Sequence, residues 1–309
     1  MINDCASVGR TLIKYFPSEI DAVHISRSRR FWSKTFGIAW KIMKASADIF
    51  HVHYLLQDCY LALKFRNCPV IGHAHGSDLR TSLNHRIWGK IVKHNLKRCD
   101  KILVSTPDIL SIARKFRKDA EYIPNPVDTS IFYPKKVDSY GEKLKVLIAA
   151  NCDWKTKGTD IAINALSKLR KEIEVYIINY GRDFTKTLAL ADSLGLTLNV
   201  LPKISHQNVR QYYWNADIVL GSFGAGALGM VALEAIACGR PVITYVSSRY
   251  PEYDAFPLKD VNTADKIVDA IKDTSHKLWK AQYRYLKKYH SPEMIAKRIS
   301  EIYFELLNS

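Results

Sequence analysis

The residues best suited to chemistry in this sequence stand in a glycine-rich turn. Gly221 to Gly229 follows an apolar run that begins at Ile218, and a helical pattern starts near Leu228. A helix that starts here presents free backbone N–H groups and the positive end of its dipole to an anion such as a phosphate. Glu234 lies about a turn and a half inside that helix, where its carboxylate could accept ribose hydroxyls. The alternative is a plain turn followed by a solvated glutamate, because a glycine loop alone is a weak motif.

A lysine occupies the corresponding position after the first strand of the same predicted sheet. Lys157 and Gly158 follow the apolar run that begins at Leu144 and precede a helical pattern. Parallel strands end at one edge of a sheet, so Lys157 could reach an anion held at that edge. Lone lysines are more often solvated, and the position alone does not assign a role.

Four histidines occur as two pairs with the same spacing. His51 and His53 stand in one predicted strand, and His73 and His75 stand at the end of the next. Residues two apart in a strand share a face, so zinc is a candidate ligand for the two pairs. The spacing does not place a third ligand within either pair, and we predict no metal site. Asp78 could instead orient an imidazole.

A basic and aromatic segment runs from Arg27 to Lys44, and we predict a helix over its later part. Such a helix suits an anionic membrane interface, but its apolar face could equally pack on the protein's own sheet. We expect Ala39 and Met43 to pack, and Phe31 to be exposed with the arginines. Nucleic acid ranks last, because no RNA-binding or helix-turn-helix motif accompanies the charge. The apolar side holds Trp32, Phe36, Ala39 and Met43, the other side holds Lys34, Lys41 and Lys44, and the candidate membrane or acceptor residues are Arg27, Arg29, Arg30 and Lys34.

The composition is that of a soluble globular protein with an excess of positive charge. The chain has 309 residues, of which 47% are apolar and 25% charged, and its formal net charge is +16. These values exclude a disordered, collagen-like or disulfide-stapled chain. Residues 1–139 hold 23 basic and 12 acidic residues, a net charge of +11, whereas residues 140–309 hold 23 and 18, a net charge of +5. A basic first half points to an anionic partner.

Cysteine usage and hydropathy point to the cytoplasm. The six cysteines are scattered, without the spacing of a zinc knuckle or a redox pair, which suits a reducing compartment. No signal peptide opens the sequence. The longest uncharged stretch, Ile218 to Leu233, has 16 residues, fewer than the about 20 that span a membrane. We therefore predict a cytoplasmic protein that can still touch a membrane surface.

Short apolar runs alternate with longer amphipathic ones in two series, which predicts two α/β domains with doubly wound parallel sheets. Turn residues at Ile123–Asp128 end the first series, a polar linker follows over 135–143, and we place the boundary between 137 and 138. The first strand is either very short or lacks its first residues, because only Met1 and Ile2 precede a polar turn. The predicted strands are Ala22–Ile25, Ile49–His53, Val70–Ala74, Lys101–Ser105, Tyr122–Pro124, Lys145–Ala149, Val175–Ile178, Leu198–Leu201, Ile218–Gly221 and Pro241–Tyr245, and the predicted helices include Thr159–Arg170, Met230–Ala237 and an amphipathic Pro292–Leu307.

Taken together, these segments resemble the retaining glycosyltransferases of family 4, whose GT-B fold consists of two Rossmann-like domains facing a cleft. The resemblance covers nearly the whole chain. It implies that the final segment, 291–309, packs back on the first domain (1–137), and that 138–290 binds a nucleotide sugar. The segments that carry it are Asp48–His53, similar to the family's DIIHVH strand; Pro69–Arg80, with its HGSDLR turn; Ile123–Asp128 with Phe132 and Pro134; Trp154–Gly158, with its KG turn; Tyr213–Asp217; and Leu233–Val242, similar to EAMACGRPV.

The resemblance also implies roles for individual residues. Lys157 would neutralise the diphosphate of the donor, and Glu234 would bind its ribose. Gly9 would let the first domain's loop approach the diphosphate. His75, the candidate catalytic residue, would face the donor sugar. The implied donor-binding set, with Lys203 and Ile204 near the base and the loop amides on the sugar and phosphate, is Gly9, Asn151, Lys155, Lys157, Lys203, Ile204, Gly224, Ala225, Gly226, Leu228, Gly229 and Glu234.

Two positions depart from the family pattern. The family's two glutamates stand eight positions apart, and Glu234 matches the second. The first, which normally binds hydroxyls of the donor sugar, is Gly226 here. The arginine that usually follows the first strand of the second domain is replaced by Asn151, and Lys155 could take its place.

The resemblance implies a retaining, metal-independent glycosyltransferase that uses a nucleotide-diphosphate sugar and needs no other cofactor. It implies front-face transfer, in which the leaving phosphate helps to deprotonate the acceptor hydroxyl. The acceptor would be a glycan or lipid-linked glycan of cell-surface polysaccharide or glycolipid biosynthesis, bound on the basic first domain, with an anionic membrane surface as a further partner and no nucleic acid. The two departures leave an alternative, a degenerate GT-B protein that binds a nucleotide sugar or a partner without turnover.

Overall fold

The computed structural model describes residues 1–27, 36–135 and 142–308. The chain forms two compact units, one made of Met1–Pro126 with His290–Ser309 and the other of Val127–Tyr289. The division falls eleven residues before the predicted boundary at 137, because Val127 and Phe132 are buried in the core of the second unit.

The first unit is built on a four-stranded parallel sheet in the order β1-β2-β3-β4. Its three longer strands are buried apolar runs, as a parallel sheet covered on both faces requires, although β1 and β2 also carry buried histidines. The strands are β1 (Phe50–His53), β2 (Val70–Ala74), β3 (Lys101–Val104) and β4 (Glu121–Tyr122).

The amino terminus adds a single residue to this sheet. Ile2 forms parallel bridges to Ile25 on one side and to Val52 on the other. Asn3 then adopts a φ of 63°, which turns the chain away after one residue. The predicted strand Ala22–Ile25 is therefore wrong except at Ile25, because Ile2 offers it only one residue of backbone.

Helices cover the sheet of the first unit, and α2 differs from the predicted helix in the side that it buries. Ile38 and Ile42 of α2 are each 1% exposed and join the core, whereas Phe36, Trp40 and Met43 are 71%, 61% and 56% exposed. The expectation that Met43 packs is wrong. The helices, numbered along the whole chain, are α1 (Val8–Tyr15), α2 (Phe36–Lys44), α3 (Gln57–Phe65), α4 (Ser77–Arg80), α5 (Trp88–Arg98), α6 (Leu110–Arg114) and, from the end of the chain, α14 (Pro292–Leu307).

The last helix, α14, packs on α1 and belongs to the first unit. Its buried residues include Ile295, Ile299 and Ile302, which recur at the helical spacing. Ser291 caps its start by accepting a hydrogen bond from the N–H of Met294. In the part of the chain that the structure describes, neither α14 nor any other helix is long and apolar enough to cross a membrane.

The second unit is a five-stranded parallel sheet in the order β7-β6-β5-β8-β9. The chain order reverses at β5, whose neighbours are β6 and β8. In an open α/β sheet such a reversal leaves a crevice at the carboxyl ends of the two strands, where ligands bind. The strands are β5 (Leu144–Ile148), β6 (Ile173–Ile178), β7 (Leu198–Leu201), β8 (Ile218–Leu220) and β9 (Val242–Ile243), and the helices are α7 (Trp154–Lys157), α8 (Thr159–Ser167), α9 (Phe184–Ser193), α10 (Arg210–Trp214), α11 (Met230–Ala237), α12 (Ala264–Lys272) and α13 (His276–Tyr289).

Candidate active site

The turn that holds Lys157 (Trp154–Gly158, the lysine turn) and the loop from Gly221 to Gly229 (the glycine loop) meet at the carboxyl ends of β5 and β8. Phe223 donates its N–H to the carbonyl oxygen of Lys157 at 2.8 Å. A Cβ on Gly224 would lie 2.5 Å from the carbonyl oxygen of Thr156, and a Cβ on Gly158 would lie 2.9 Å from the Cβ of Phe223. Both glycines are therefore needed for this close approach, which brings two sequence-predicted segments into contact.

Lys157 is the last residue of the one-turn helix α7. Asp153 caps this helix by accepting a hydrogen bond from the N–H of Thr156 at 2.8 Å. Lys157 is half-buried, whereas Lys155 on the same turn is exposed, and Asn151 is half-buried at the end of β5. Of the two lysines, Lys157 is the less exposed, and its backbone is the one bonded to the glycine loop through Phe223.

The glycine loop leads into α11, whose first turn has N–H groups without intrahelical acceptors. Gly229 is the N-cap residue, and a Cβ there would meet no atom within 4 Å. The N–H of Leu228, by contrast, already donates to the hydroxyl of Tyr253 at 3.1 Å. The predicted donor-binding amide of Leu228 is thus engaged within the protein, whereas Gly224, Ala225 and Gly229 are accessible.

Gly226 stands where the family pattern has its first glutamate, and the structure closes this position to a side chain. Its φ is +67°, in the left-handed region. A Cβ would lie 2.9 Å from the Cβ of Ser247 and 3.0 Å from the ring of Tyr245. Gly226 is buried and accepts a hydrogen bond from the N–H of Ser247. Only glycine therefore fits this position without displacing Ser247 or Tyr245.

Glu234 is buried inside α11, and both of its oxygens have protein partners. Oε1 bonds Nε2 of His206 at 2.6 Å, and Oε2 accepts the hydroxyl of Tyr213 at 3.0 Å. Burial raises the pKa of Glu234 above its ordinary value, while the two hydrogen bonds act to lower it. The side chain of His206 is 34% exposed, against 3% for Glu234. A ribose would therefore meet His206 first, a residue that the sequence did not single out.

Lys203 and Ile204 follow β7, and an exposed tyrosine joins them. The ammonium of Lys203 lies 3.8 Å from the ring centroid of Tyr180, which follows β6 and is 46% exposed. The carbonyl oxygen of Tyr180 accepts the N–H of Cys152, so the loops after β5 and β6 are tied together. Ile204 is half-buried. Tyr180 is a second residue that sequence reasoning missed, and its only signal was its place after a strand.

In the first unit, the candidate catalytic residue His75 follows β2. Its Nε2 lies 2.8 Å from Nδ1 of His53, and its ring stacks on that of His73 at 4.4 Å. Burial, together with these neighbouring imidazoles, holds the pKa of His75 well below its ordinary value, so the ring is neutral. Gly9 donates its N–H to Asp4 at 2.8 Å, and a Cβ on Gly9 would lie 2.9 Å from Nε2 of His53. The small size of Gly9 is thus required by His53.

Two further expectations about the first unit need correction. Asp78 does not orient an imidazole, because its carboxylate accepts backbone N–H groups, among them those of Leu55 and Gly76. Arg27 is not free for a membrane or an acceptor, because it forms a two-bond ion pair with the buried Asp58 at 2.6 and 2.9 Å. The other candidates for that role, Arg29, Arg30 and Lys34, lie outside the described residues.

Two family models match the chain. The model described as glycosyl transferases group 1 matches residues 130–289, which are 160 of the 309 residues. The model described as glycosyltransferase family 4 matches residues 12–131. The two matches follow one another along the chain.

Similar proteins point the same way. The chain is 23% identical over 291 residues to the N-acetyl-alpha-D-glucosaminyl L-malate synthase of Bacillus anthracis, covering 85% of this chain and 76% of that protein. It is 32% identical over 142 residues to the lipopolysaccharide glucosyltransferase WaaG of Escherichia coli, covering 45% and 37%. The structure of Anabaena Alr3699/HepE in complex with UDP and glucose matches with a TM-score of 0.74 at 14% identity, over 99% of both chains. This likeness confirms the predicted α/β fold of the GT-B class.

Proposed function

Because the chain belongs to the glycosyl transferases of group 1, preceded by a family 4 domain, we propose that it transfers a sugar from a nucleotide-diphosphate donor with retention of configuration. The acceptor is a glycan or a lipid-linked glycan of cell-surface polysaccharide or glycolipid biosynthesis. Neither a metal ion nor a further cofactor takes part in the transfer.

The observation that carries this proposal is the contact between the lysine turn and the glycine loop. The 2.8 Å hydrogen bond from Phe223 to Lys157 holds the turn beside the loop that ends at α11. A cation, loop amides and a helix N-terminus then meet at one anion position. This arrangement supports stabilisation of a departing diphosphate, because its donors are in place before the charge develops.

The transfer that we propose uses the leaving group as its base. As the bond from the anomeric carbon to the diphosphate breaks, Lys157 and the loop amides stabilise the charge on the leaving oxygen. That oxygen accepts the proton of the acceptor hydroxyl, and the new bond forms on the same face of the sugar, so no protein nucleophile is needed. His75, neutral and held by His53, is the residue that the family resemblance assigns to the donor sugar. The ribose binds to the pair of His206 and Glu234.

The names of similar proteins support the substrate classes. The HepE structure holds UDP and glucose, which makes UDP the first nucleotide to test. WaaG is named for lipopolysaccharide, an acceptor on a lipid, and the malate synthase is named for a small acid. We favour the lipid-linked class because of the charge on the first unit.

The outer helices of the first unit support a peripheral membrane location on the cytoplasmic face. α2 packs against α3 and α3 against α5, and these helices carry one acid, Asp58, which is buried and paired with Arg27. On α2, Phe36, Trp40 and Met43 form an exposed apolar stripe at positions i, i+4 and i+7. Aromatic residues flanked by cations suit an anionic bilayer surface. The exposed cations of the three helices are Lys41, Lys44, Lys64, Lys90, Lys93, Lys97 and Arg98.

The donor site is tested by calorimetry with UDP, GDP and ADP on wild type and Lys157→Ala. A charge-assisted hydrogen bond is worth about 1.5–3 kcal/mol, so we expect about a tenfold to hundredfold loss of affinity. Lys155→Ala, on the same turn but exposed, is the matched control and should bind as wild type does. Equal affinity of wild type and Lys157→Ala would contradict the proposal. Binding without turnover across a panel of donors and acceptors would favour the degenerate alternative.

The membrane location is tested by co-sedimentation with phosphatidylcholine vesicles, with and without phosphatidylglycerol. We expect binding only to the anionic vesicles, weakened by salt and by Trp40→Ser. Phe304→Ser is the control, because Phe304 is a 44% exposed aromatic residue on α14. Equal binding to both kinds of vesicle, or equal loss in the two variants, would refute this part of the proposal while leaving the donor site untouched.

A further inference from the structure

Three histidines of the first unit converge inside the protein, although the sequence supplied them only as pairs. The register of β1 and β2 sets His53 directly opposite His73, and His51 lies on the same face of β1 as His53. All three are buried, with exposures of 0% to 1%. The third ligand that spacing within one strand could not provide thus comes from the neighbouring strand.

The ring nitrogens are close enough together to share one ion. One nitrogen of each imidazole lies within 4.8 Å of the others. Nε2 of His51 and Nδ1 of His73 are 3.1 Å apart. In a tetrahedral zinc site with bonds of about 2.0–2.1 Å, ligand atoms are about 3.3 Å apart. The closest pair already matches this separation, and the third nitrogen, which lies within 4.8 Å of both, would move closer on binding.

In metal sites, a histidine usually binds the ion with one ring nitrogen while the second nitrogen is held by a hydrogen bond. The rings of His51 and His53 each have such a partner, on Nδ1. The hydroxyl of Tyr303 on α14 lies 2.7 Å from Nδ1 of His51, and Nε2 of His75 lies 2.8 Å from Nδ1 of His53. Both contacts leave the opposite Nε2 for another partner. Nε2 of His53 is buried and has no hydrogen-bond partner among the described residues. A buried nitrogen without a partner calls for an unseen water or ion.

The electrostatic setting keeps these imidazoles neutral, the form that binds a metal. Burial is the main cause that holds the pKa of His51, His53 and His73 below the ordinary value. A carboxylate is also near: a Cβ on Gly9 would lie 2.9 Å from Nε2 of His53 and 3.3 Å from Oδ1 of Asp4. Asp4 therefore brings a carboxylate close to His53, although Arg10 and the amino terminus place positive charge nearby as well.

We propose that His51, His53 and His73 supply three ligands to one divalent transition-metal ion, best matched by Zn²⁺, inside the first unit. Neutral imidazole nitrogens suit zinc, copper and nickel rather than magnesium or calcium. The ion links β1 to β2 and, through Tyr303, to the returning helix α14. The proposed ligands adjoin His75, whose Nε2 lies 2.8 Å from Nδ1 of His53, whereas the lysine turn and the glycine loop belong to the second unit.

The test is metal content and titration on the full chain. Protein refolded with zinc and dialysed should carry one equivalent per chain by elemental analysis, and cobalt(II) should give tetrahedral ligand-field absorption. His51→Phe and His73→Phe should lose both signals. His94→Phe should keep both, because His94 is exposed on α5. Absence of metal from wild type refolded with zinc, or equal binding by the His51→Phe and His73→Phe variants, would overturn the proposal.

A second variant covers the case in which the ligand variants fail to fold. Tyr303→Phe keeps the ring that packs against Phe16 and removes only the hydroxyl beside His51. Loss of an outer partner weakens metal affinity by about tenfold to hundredfold. We expect that loss with unchanged circular dichroism, and unchanged zinc affinity would contradict the proposed coordination. UDP affinity, measured in parallel, reports on the second unit and should not depend on zinc.

Discussion

Restoring the family's first glutamate should damage this protein rather than improve it. Gly226→Glu places a side chain where φ is +67° and where a Cβ meets Ser247 at 2.9 Å and Tyr245 at 3.0 Å. The left-handed backbone costs an L-residue about 1–2 kcal/mol, and overpacking of a buried position typically costs about 1–3 kcal/mol more. We therefore expect Gly226→Glu to lower the free energy of unfolding by about 2–5 kcal/mol.

A matched pair of alanine variants separates the two costs. Gly195 has a φ of +65°, but a Cβ there meets nothing within 4 Å. Gly195→Ala should therefore lower the free energy of unfolding only through backbone strain, whereas Gly226→Ala should lower it through backbone strain and part of the steric contact. Urea unfolding of both variants, followed by fluorescence, gives the contact cost as their difference.

Donor affinity gives the second readout for Gly226→Glu. Because the position is closed by Ser247 and Tyr245, a glutamate cannot reach a sugar without displacing them. We expect calorimetry to show no gain in affinity for a nucleotide sugar relative to the nucleotide alone. A Gly226→Glu protein as stable as wild type, or one that gains affinity for the sugar part of the donor, would refute the reasoning.

Three further predictions concern buried groups. Burial lowers the pKa of His290 to about 4, so the folded protein holds it neutral, whereas the unfolded chain takes up a proton below about pH 6.5. The free energy of unfolding should therefore fall by about 2 kcal/mol between pH 8 and pH 5. Urea unfolding at the two pH values should show a smaller fall in His290→Gln. Tyr213→Phe leaves an oxygen of buried Glu234 without its donor and should cost about 1–3 kcal/mol, measured by thermal unfolding. Ile42→Ala should cost about 2–5 kcal/mol because Ile42 is 1% exposed, whereas Trp40→Ala should stay within about 0.5 kcal/mol; similar losses in both would mean that α2 packs differently.

The strands were predictable because a parallel sheet buries both of its faces. Val70–Ala74 is buried throughout and matches its predicted bounds, since such a run bounded by turns has no other favourable environment. The edge strand Leu198–Leu201 also matches its predicted bounds, although Asn199 and Val200 are exposed. The helix Met230–Ala237 also matches, because the glycines before it fix its start. The local sequence pattern was sufficient to predict the bounds of an element wherever neighbouring residues in the sequence determine its burial.

Pairings between distant residues could not be predicted in this way. Arg27 was assigned to an outside partner because Asp58, thirty-one positions away, gives no local signal. On α2 the aromatic residues look like the buried side, yet the smaller Ile38 and Ile42 fill the core. Hydropathy alone does not rank two apolar stripes on one helix, and the space left by α3 decides between them.

The proposed donor site is more complete for the diphosphate of a nucleotide sugar than for its sugar and ribose. The groups suited to the diphosphate are assembled, since Lys157, the loop from Gly224 and the start of α11 meet at one sheet edge. The acids expected for the sugar and the ribose are either missing, at Gly226, or enclosed, at Glu234. Phosphate contacts are indifferent to which sugar is attached, so selection of the sugar must come from elsewhere. The family resemblance assigns the sugar to His75, and in the proposed function the basic surface of the first unit selects the acceptor.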